Sequence, residues 1–361
     1  MKQKVVIAMS GGVDSSVAAY LLKRDGYEVI GMMMRLWSEP GKENSNRCCT
    51  PDSVAQARKV AAYLEIPFYV LDAKQIFYDK VVTGFLEGYK SGITPNPCLN
   101  CNRWIRFDHL YKHAQAFGAD YFSTGHYVQK VVHSSGLPTL KRALDERKDQ
   151  SYVLHVLPSR ILPNLLFPIG QYTKDEIRSI ALEIGLSVAK RPDSQDLCFL
   201  AGGDYRDFLK RHNVLNDIPG NIIEASTQEV ISMHNGLSNF TIGQRKGLGF
   251  SSDQPYYVIE KNFKDNSLLV GPKNALGYYR ATVENPNWLI PPEFLTSAKV
   301  MVKSRYTARL VSAEILPTSG KDIFDIVFQD SQRDLTPGQA AVIYQDDLLF
   351  GGGVIKSTSR E

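Results

Sequence analysis

The sequence has 361 residues, of which 43% are hydrophobic and 22% are charged. This length predicts two or three domains, and the composition is that of a globular protein with enough apolar residues for a core. No stretch has the roughly 18 consecutive apolar residues that a membrane helix needs. Since the first predicted strand begins at Lys4, we expect no targeting segment and a cytoplasmic protein. The net charge of +4 fits a nucleic-acid partner but also many small-molecule enzymes, so it does not decide the function.

Predicted strands and helices alternate over roughly the first 200 residues. Apolar runs predict strands at 4–9, 28–34, 67–71 and 120–124, and helical spacing predicts helices at 15–25, after a Thr50 N-cap, and at 173–185. Thr173 and Glu176 have the spacing of a capping box at the start of the last of these helices. This alternation is typical of a parallel α/β sheet covered on both faces, a Rossmann-like architecture.

The pattern changes at about residue 204, where β-branched residues and turns become frequent. A short helix is predicted at 205–212, a hairpin at 256–261 and 267–270, and short strands at 299–303, 324–328 and 341–344. We therefore predict an α/β catalytic domain at 1–203, a small central β-rich domain at 204–275 and a C-terminal β-barrel at 276–361.

A glycine-rich segment, Ser10-Gly11-Gly12-Val13-Asp14-Ser15-Ser16, lies between the first predicted strand and helix. Glycines let the backbone approach a phosphate closely, and the amides of a helix N-terminus favour a bound anion. Asp14 repels phosphate unless a cation lies between them, which indicates Mg²⁺. No Gly-Lys-Ser/Thr follows, so this is not a Walker loop. It resembles the PP-loop, S-G-G-x-D-S, of the ATP pyrophosphatases, which cleave ATP between the α and β phosphates; the alternative is an ordinary βα turn with a capping serine.

Two polar, proline-marked loops carry cysteines. The first contains Cys98 and Cys101 at C-x-x-C spacing, and the second contains Cys198. An adenylated carbonyl oxygen is a good leaving group, and a persulfide sulfur is a good nucleophile to displace it. An ATP loop with two loop thiols therefore fits sulfur transfer. Incidental or buried thiols are the alternative, and a zinc knuckle would need a fourth ligand. Cys48 and Cys49 are interpreted as packing residues.

Taken together, these segments resemble the bacterial tRNA-specific 2-thiouridylases, the MnmA family, over essentially the full length. The matching stretches are 8–16, 31–34, 94–101, 124–126, 148–152, 193–199, 242–248 and 336–339. The resemblance implies an enzyme that adenylates C2 of wobble uridine 34 in the tRNAs for Lys, Glu and Gln. It then implies replacement of that oxygen by sulfur, which a cysteine desulfurase or another persulfide-donating sulfurtransferase supplies.

The resemblance also implies roles for individual residues. Cys101 matches the nucleophile and Cys198 the persulfide carrier. The positions that match ATP contacts are Ala8, Met9, Ser10, Gly11, Gly12, Val13, Asp14, Ser15, Met34 and Gly125. The positions that match the segment meeting the target base are Asn96, Pro97 and Cys98, and those that match other tRNA contacts are His126, Lys148, Asp149, Gln150, Arg305, Tyr306 and Gln339.

The chain departs from the family at Cys98, where many members have an aspartate that is a candidate general acid or base. The substitution creates a set of three cysteines, Cys98, Cys101 and Cys198, similar to the [4Fe–4S] ligands of other thiolases in the superfamily. We therefore consider an iron–sulfur cluster as a hypothesis. Otherwise, we expect Cys101 and Cys198 to act as a redox pair with a transient disulfide.

Two other functions remain open on the sequence alone. An amide-forming PP-loop synthetase would need neither Cys101 nor Cys198. A tRNA-binding module with a vestigial nucleotide loop would not need Asp14 and Ser15, and it would release no pyrophosphate from ATP.

Overall fold

The computed structural model describes residues 2–42, 50–192, 197–200, 203–214, 218–297, 299–318, 320, 322–333 and 335–360. Its strands are β1 (Lys4–Ala8), β2 (Glu28–Arg35), β3 (Phe68–Asp72), β4 (Tyr121–Thr124), β5 (Gln129–Val132), β6 (Pro138–Lys141), β7 (Leu165–Leu166), β8 (Pro219–Glu224), β9 (Val230–Asn235), β10 (Tyr256–Asn262), β11 (Ser267–Pro272), β12 (Tyr278–Trp288), β13 (Lys299–Lys303), β14 (Val311–Pro317), β15 (Ile323–Gln332), β16 (Ala340–Gln345) and β17 (Leu348–Ser359).

The helices alternate with the strands in the first half and become rare afterwards. The α-helices are Val13–Arg24, Pro51–Tyr63, Lys74–Phe77, Thr83–Lys90, Pro97–Asn100, Tyr111–Ala116, Ser151–Leu154, Lys174–Glu183 and Tyr205–Arg211, with π-helical segments at Tyr78–Val82 and Cys101–Leu110. Short 3₁₀ turns occur at Ser159–Asn164, Cys198–Leu200, Leu237–Asn239, Lys273–Ala275 and Pro292–Phe294.

The first sheet is parallel, in the order β3-β2-β1-β4-β7. Successive side chains of a strand point to opposite faces. Accordingly, Val5 and Ile7 of β1 pack in one hydrophobic cluster and Val6 packs in another, each with 0% exposure. Helices cover both faces, and the predicted parallel α/β fold is confirmed.

Helix boundaries in this domain follow the predicted local chemistry. The Thr50 side chain accepts a hydrogen bond from the Ser53 amide, and a proline occupies the first helical position. Thr173 and Glu176 form both hydrogen bonds of the predicted capping box. Both helix starts are therefore confirmed.

The central domain is a small sheet in the order β10-β11-β8-β9. Only the β11–β8 pair is parallel among the pairings of this sheet. Ile222, Val258, Leu268 and Val270, each 0% exposed, form its core. The predicted hairpin is present as β10 and β11.

The C-terminal domain is a closed antiparallel barrel, as predicted. Six strands of the described chain run in the order β12-β15-β14-β13-β16-β17, and β17 pairs with β12 to close the ring. Closure leaves no sheet edge within this ring. The interior is filled by apolar side chains such as Val283, Ile326, Ala341 and Ile343.

A hairpin from the first domain extends the barrel sheet. β5 and β6 pair with each other, and β6 pairs with β17 through Lys141–Leu348 and Leu140–Leu349. The buried Thr139 hydroxyl donates to the Leu349 carbonyl at 2.7 Å. Since the hairpin lies more than 200 residues before β17, local sequence patterns did not predict this pairing. The pairing joins the barrel to the first domain through backbone hydrogen bonds that run from β17 through β6 to β5.

Within the described part of the chain, no helix combines the length and the apolar character needed to cross a membrane.

His155 is buried where the first domain meets the barrel. Its Nδ1 donates to the Tyr152 carbonyl at 2.7 Å, and Cδ2 lies against Gly352 of β17. The Asn287 side chain of β12 donates to the His155 carbonyl at 2.5 Å. Burial lowers the pKa of His155 to about 4, which keeps the imidazole neutral at pH 7.

We predict that acid destabilises this junction through His155. Below the ordinary histidine pKa of about 6.5 the unfolded chain takes up a proton that the folded chain does not, so stability falls as the pH falls from 6.5 to 4. The slope contributed by one such group is at most about 1.4 kcal/mol per pH unit. His155→Asn should lose this component, measured as the dependence of thermal unfolding on pH. Parallel pH curves for wild type and variant would contradict the assignment.

Candidate active site

The glycine loop at 10–16 connects β1 to the helix Val13–Arg24. Gly11 has φ of 72°, and a Cβ there would lie 2.4 Å from the Ser53 carbonyl oxygen, so only glycine fits. The Ser15 hydroxyl accepts from the Ser10 amide at 3.2 Å and donates to the Gly12 carbonyl at 3.3 Å. The loop is therefore held in one shape by its own hydrogen bonds, with a helix N-terminus beneath it.

Asp14 is neutralised by a lysine. Lys174 Nζ lies 2.7 and 2.9 Å from the two carboxylate oxygens of Asp14, and the Tyr127 hydroxyl donates to the same carboxylate at 2.7 Å. The Lys174 side chain is buried, with 7% exposure. The sequence argument required a cation between Asp14 and phosphate and assigned it to Mg²⁺. The structure supplies an ammonium group at this place.

A cavity of about 600 Å³ opens above this loop. It lies at the carboxyl ends of β1, β2 and β4, the usual ligand position in a parallel α/β sheet. The predicted residues that line it are Ala8, Met9, Ser10, Gly12, Val13, Asp14, Ser15, Met34, Gly125, His126, Lys148, Gln150 and Tyr306. Thus most of the predicted ATP positions share one cavity with several of the predicted tRNA positions.

Gly125 permits β4 to approach the loop. A Cβ at this position would lie 2.7 Å from the Ser15 amide nitrogen and 3.0 Å from the Asp14 carbonyl carbon. The residue is therefore needed for close packing of the cavity wall.

His126 forms part of the same wall and is neutral. Nδ1 lies 2.7 Å from the Thr124 hydroxyl, and Nε2 lies 3.0 Å from an Arg106 guanidinium nitrogen. Because arginine only donates, Nε2 accepts and Nδ1 carries the proton. Burial, with the nearby Arg106 charge, holds the pKa of His126 well below its ordinary value. His126 is 5% exposed, so a tRNA contact there would have to come from within the cavity.

Arg191 ties the glycine loop to the neighbouring helix. Its guanidinium donates to the Gly11 carbonyl at 3.0 Å and to the Ser53 hydroxyl at 3.1 Å, and it pairs with Asp52 at 3.2 Å. Neither Arg191 nor Lys174 was selected from the sequence as a site residue. Arg191 lies two residues before the matched stretch 193–199. This position was the one sequence feature that could have indicated a role in the site.

Cys98 and Cys101 lie in the first two turns of a helical stretch at 97–116. Asn96 begins it, since its side chain accepts a hydrogen bond from the Cys98 amide at 3.1 Å, and Pro97 occupies the first helical position. Cys98 is exposed, whereas Cys101 is half-buried against the core. The first thiol is therefore presented to solvent and the second to the protein interior.

Cys198 begins the short turn Cys198–Leu200. Its neighbour Phe199 is buried 5.2 Å from Phe85 and 5.4 Å from Phe208, ring centre to ring centre. This aromatic cluster anchors the turn, and Cys198 itself is half-buried.

The structure does not support an iron–sulfur site or a resting disulfide. Cys98, Cys101 and Cys198 are present as thiols. Among the described residues, no group of three or more His, Cys, Asp or Glu side chains could hold a metal ion. The iron–sulfur hypothesis is therefore not supported, whereas the transient Cys101–Cys198 disulfide stays a prediction. Cys48 and Cys49 lie outside the described residues.

Residues in loops of the C-terminal barrel contact the segment that leads into the helical stretch at 97–116, and they also border the cavity. Gln339 donates to the Thr94 carbonyl at 2.7 Å, just before the cysteines. Tyr306, 40% exposed, borders the cavity. Burial raises the pKa of Tyr306, as do the negative charges of Asp149 and of a Cys98 thiolate. Tyr306 thus borders the cavity and is near enough to Cys98 for the charge of its thiolate to affect the tyrosine pKa.

Within the segment 148–150, the side chains of Lys148 and Gln150 face the cavity, whereas that of Asp149 does not line it. Lys148 and Gln150 line it, and the Gln150 side chain accepts from the Tyr127 amide at 2.9 Å. Asp149 is 3% exposed and accepts from the amides of Ala143 and Ser151. Its position supports the fold of this segment, whereas the two neighbours face the cavity.

Comparison with family models divides the chain into three parts. Residues 3–202 match the model described as the tRNA methyl transferase HUP domain. Residues 206–272 match the tRNA methyl transferase PRC-barrel domain, and 280–355 match the aminomethyltransferase beta-barrel domain.

Full-length relatives identify the family. The chain is 42% identical to tRNA-specific 2-thiouridylase MnmA 1 of Caldanaerobacter subterraneus subsp. tengcongensis, over 100% of both chains. It is 40% identical to tRNA-specific 2-thiouridylase MnmA of Clostridioides difficile, over 99% of both chains. The chain belongs to the MnmA family of tRNA-specific 2-thiouridylases. A solved NMN synthetase from Francisella tularensis is a far weaker match, with 13% identity, a TM-score of 0.34, and coverage of 59% of this chain and 77% of that chain.

We predict that Lys174→Met weakens ATP binding about 5- to 100-fold, because it leaves the half-buried Asp14 carboxylate unpaired beside the phosphates. Titration calorimetry with ATP measures the effect. The matched control is the double variant Asp14→Asn/Lys174→Met, which removes both charges and should recover part of the loss. Equal affinities for wild type and Lys174→Met would show that the pair does not govern the anion site.

Proposed function

We propose that this member of the MnmA family converts wobble uridine 34 of the tRNAs for Lys, Glu and Gln to 2-thiouridine, using ATP and a persulfide. The observation that carries the proposal is the single cavity bordered by the glycine loop on one side and by Tyr306, beside the exposed Cys98, on the other. Such a cavity can hold ATP and receive a base at the same time.

The first step is adenylation. The C2 oxygen of uridine attacks the α-phosphorus of ATP, the bond to the β-phosphate oxygen breaks, and pyrophosphate leaves. The glycine loop and the helix N-terminus at Val13 would stabilise the negative charge of the phosphates, and the Lys174 ammonium lies in the same cavity wall. Gly125 and Met34 line the cavity beyond the loop, a position suited to the adenosine.

The second step is sulfur transfer. The terminal sulfur of a persulfide on Cys198 attacks C2, and AMP leaves with the former C2 oxygen. The Cys101 thiolate, the role that its position matches, then attacks Cys198 Sγ. The bond from this Sγ to the transferred sulfur breaks, that sulfur keeps the electron pair and stays on C2, and a Cys101–Cys198 disulfide is left. A dithiol reductant reduces this disulfide, and a persulfide donor protein then reloads Cys198.

Magnesium has no evident place on the protein side of the cavity. Asp14 is already paired with Lys174 and Tyr127, and the described residues hold no cluster of metal-ligating side chains. Mg²⁺ is usually held by one or two carboxylates together with the phosphates of its nucleotide, so Asp14 in the cavity wall would have to exchange Lys174 for the ion.

The predicted tRNA positions have different places in this scheme. Lys148, Gln150 and His126 are in the cavity wall and would meet a base that enters it. Asn96 and Gln339 hold the start of the helical stretch at 97–116, and Pro97 is buried there. These three residues would therefore position Cys98. Aromatic side chains stack on unpaired bases, the role proposed for the exposed Tyr306. Asp149 would support its cavity-facing neighbours, and Arg305 would contact phosphate.

The rival functions fit less well. An amide-forming synthetase needs no exposed thiol beside its nucleotide cavity, and its family would not match this chain over the whole length. A vestigial loop would not need the paired Asp14 and Lys174.

We predict that Cys101→Ser and Cys198→Ser abolish 2-thiouridine formation but keep tRNA-dependent pyrophosphate release, because adenylation precedes sulfur transfer. Unmodified tRNA is incubated with ATP and a persulfide source, and nucleosides are quantified by mass spectrometry. Wild-type thiolation by Cys198→Ser would refute its role as carrier. Loss of pyrophosphate release in both variants would point to a folding defect instead.

Cys98 allows a test of acid–base chemistry. We predict that Cys98→Ala lowers kcat at saturating tRNA about 100-fold, the lower range for loss of a general acid or base, while Cys98→Asp stays within about threefold of wild type. Cys98 is exposed, so neither change should disturb the core. An unchanged kcat in Cys98→Ala would remove this residue from the mechanism.

A further inference from the structure

A second cavity, of about 690 Å³, lies where the central domain meets the barrel. It is lined by Arg206, Asn239, Phe240, Thr241, Ile242, Gly243, Gln244, Lys246, Gly247 and Arg305. The charged side chains among these lining residues are all cationic: Arg206, Lys246 and Arg305. A concave site that three cations line, with no carboxylate among the described lining residues, has the chemistry of an anion site.

The loop at 241–247 that forms one wall has a fixed shape. Gln244 accepts from the Thr241 amide at 3.1 Å and donates to the Lys246 carbonyl at 2.9 Å, which clasps the two ends of the loop. Backbone hydrogen bonds of 2.8 and 2.9 Å join Gly243 and Gln244 to Val258 of β10. Gly243 and Gly247 have φ of 85° and 75°, which only glycine adopts readily. Lys246 is therefore presented on a preorganised loop.

Arg206 stands on the opposite side, at the start of the helix Tyr205–Arg211. Its Nε is buried and has no hydrogen-bond partner among the described residues. The Asp204 carboxylate caps the helix by accepting from the Arg206 amide at 2.8 Å, and the Arg206 guanidinium otherwise lies over the Tyr205 ring, 5.6 Å from its centre. A buried guanidinium donor without a partner carries a free-energy cost that an anion in the cavity would relieve.

The two cavities are adjacent along the chain. Arg305 lines this second cavity, and the next two residues, Tyr306 and Thr307, line the first. One barrel turn therefore separates an anion site from the cavity that holds the glycine loop. A polynucleotide whose base entered the first cavity would bring its neighbouring phosphates toward the second.

We propose that this second cavity, the 241–247 cavity, binds a backbone phosphate of the tRNA close to the nucleotide that enters the first cavity. The proposal rests on the proposed tRNA 2-thiouridylase function. Arg206 and Lys246 act as binding residues that hold the RNA in register, while the reaction takes place on the other side of Tyr306.

The test compares Lys246→Gln and Arg206→Gln with Lys264→Gln, an exposed lysine of the same domain that does not line the cavity. The probe is an RNA stem-loop that contains the target uridine. We expect each cavity variant to bind it about tenfold more weakly, with the slope of log K against log salt reduced by about one. KM for RNA should rise, while kcat at saturating RNA and KM for ATP stay unchanged.

Two outcomes would overturn the proposal. Wild-type affinity and salt slope in both cavity variants would show that no RNA phosphate binds there. Thermal stabilisation of wild type, but not Lys246→Gln, by inorganic phosphate or pyrophosphate, with RNA binding unchanged, would assign the cavity to a free anion. If wild type forms no 2-thiouridine, the proposed function fails, whereas normal thiolation with unaltered RNA binding in the variants refutes only this inference.

Discussion

The ion pair between Asp14 and Lys174 brings three distant segments together at one point. Asp14 lies in the first turn after β1, Tyr127 follows β4, and Lys174 begins a helix that the Thr173 capping box fixes. A carboxylate in a phosphate loop needs a compensating cation, and a buried lysine needs a compensating anion. Each satisfies the other, so the cavity has its shape before any ligand enters. The free-energy cost of bringing these groups together is met when the chain folds, so it does not weaken ligand binding.

The barrel is coupled to this site by backbone pairing and by single side-chain contacts. The β5–β6 hairpin continues the barrel sheet from within the first domain, and Gln339 holds the chain at Thr94. A sheet that runs across two domains resists hinge motion more than a polar interface would. Tyr306 is consequently held over the cavity by the same framework that positions Cys98. This rigidity matters because a misplacement of about 1 Å can cost a reaction 100-fold.

Features with local causes could be predicted from the sequence. The alternation of strands and helices, the Thr50 and Thr173 caps, the barrel strands and the glycine loop all follow from short-range periodicity and capping chemistry. The contacts of Lys174 and Arg191 and the pairing of β6 with β17 could not be predicted in this way, since each partner lies more than 100 residues away in sequence. The cysteines show the same limit. Their spacing suggested a common metal site, yet spacing does not determine whether Cys198 approaches the helix that carries Cys98 and Cys101.

The modest net charge restricts how this protein can hold a polyanion. With a charge of +4 over 361 residues, there is no strong overall field to attract RNA. Binding must then depend on local cations whose carboxylate neighbours are engaged elsewhere, as Asp204 is engaged as a helix cap. Salt at 0.1 M screens the attraction between exposed charges beyond about 10 Å, so such a site acts on the phosphates beside it and not at a distance. Under this proposal, a target nucleotide would bind only where both contacts are available at once. Its phosphate would lie on one side of the Arg305–Tyr306 turn and its base on the other.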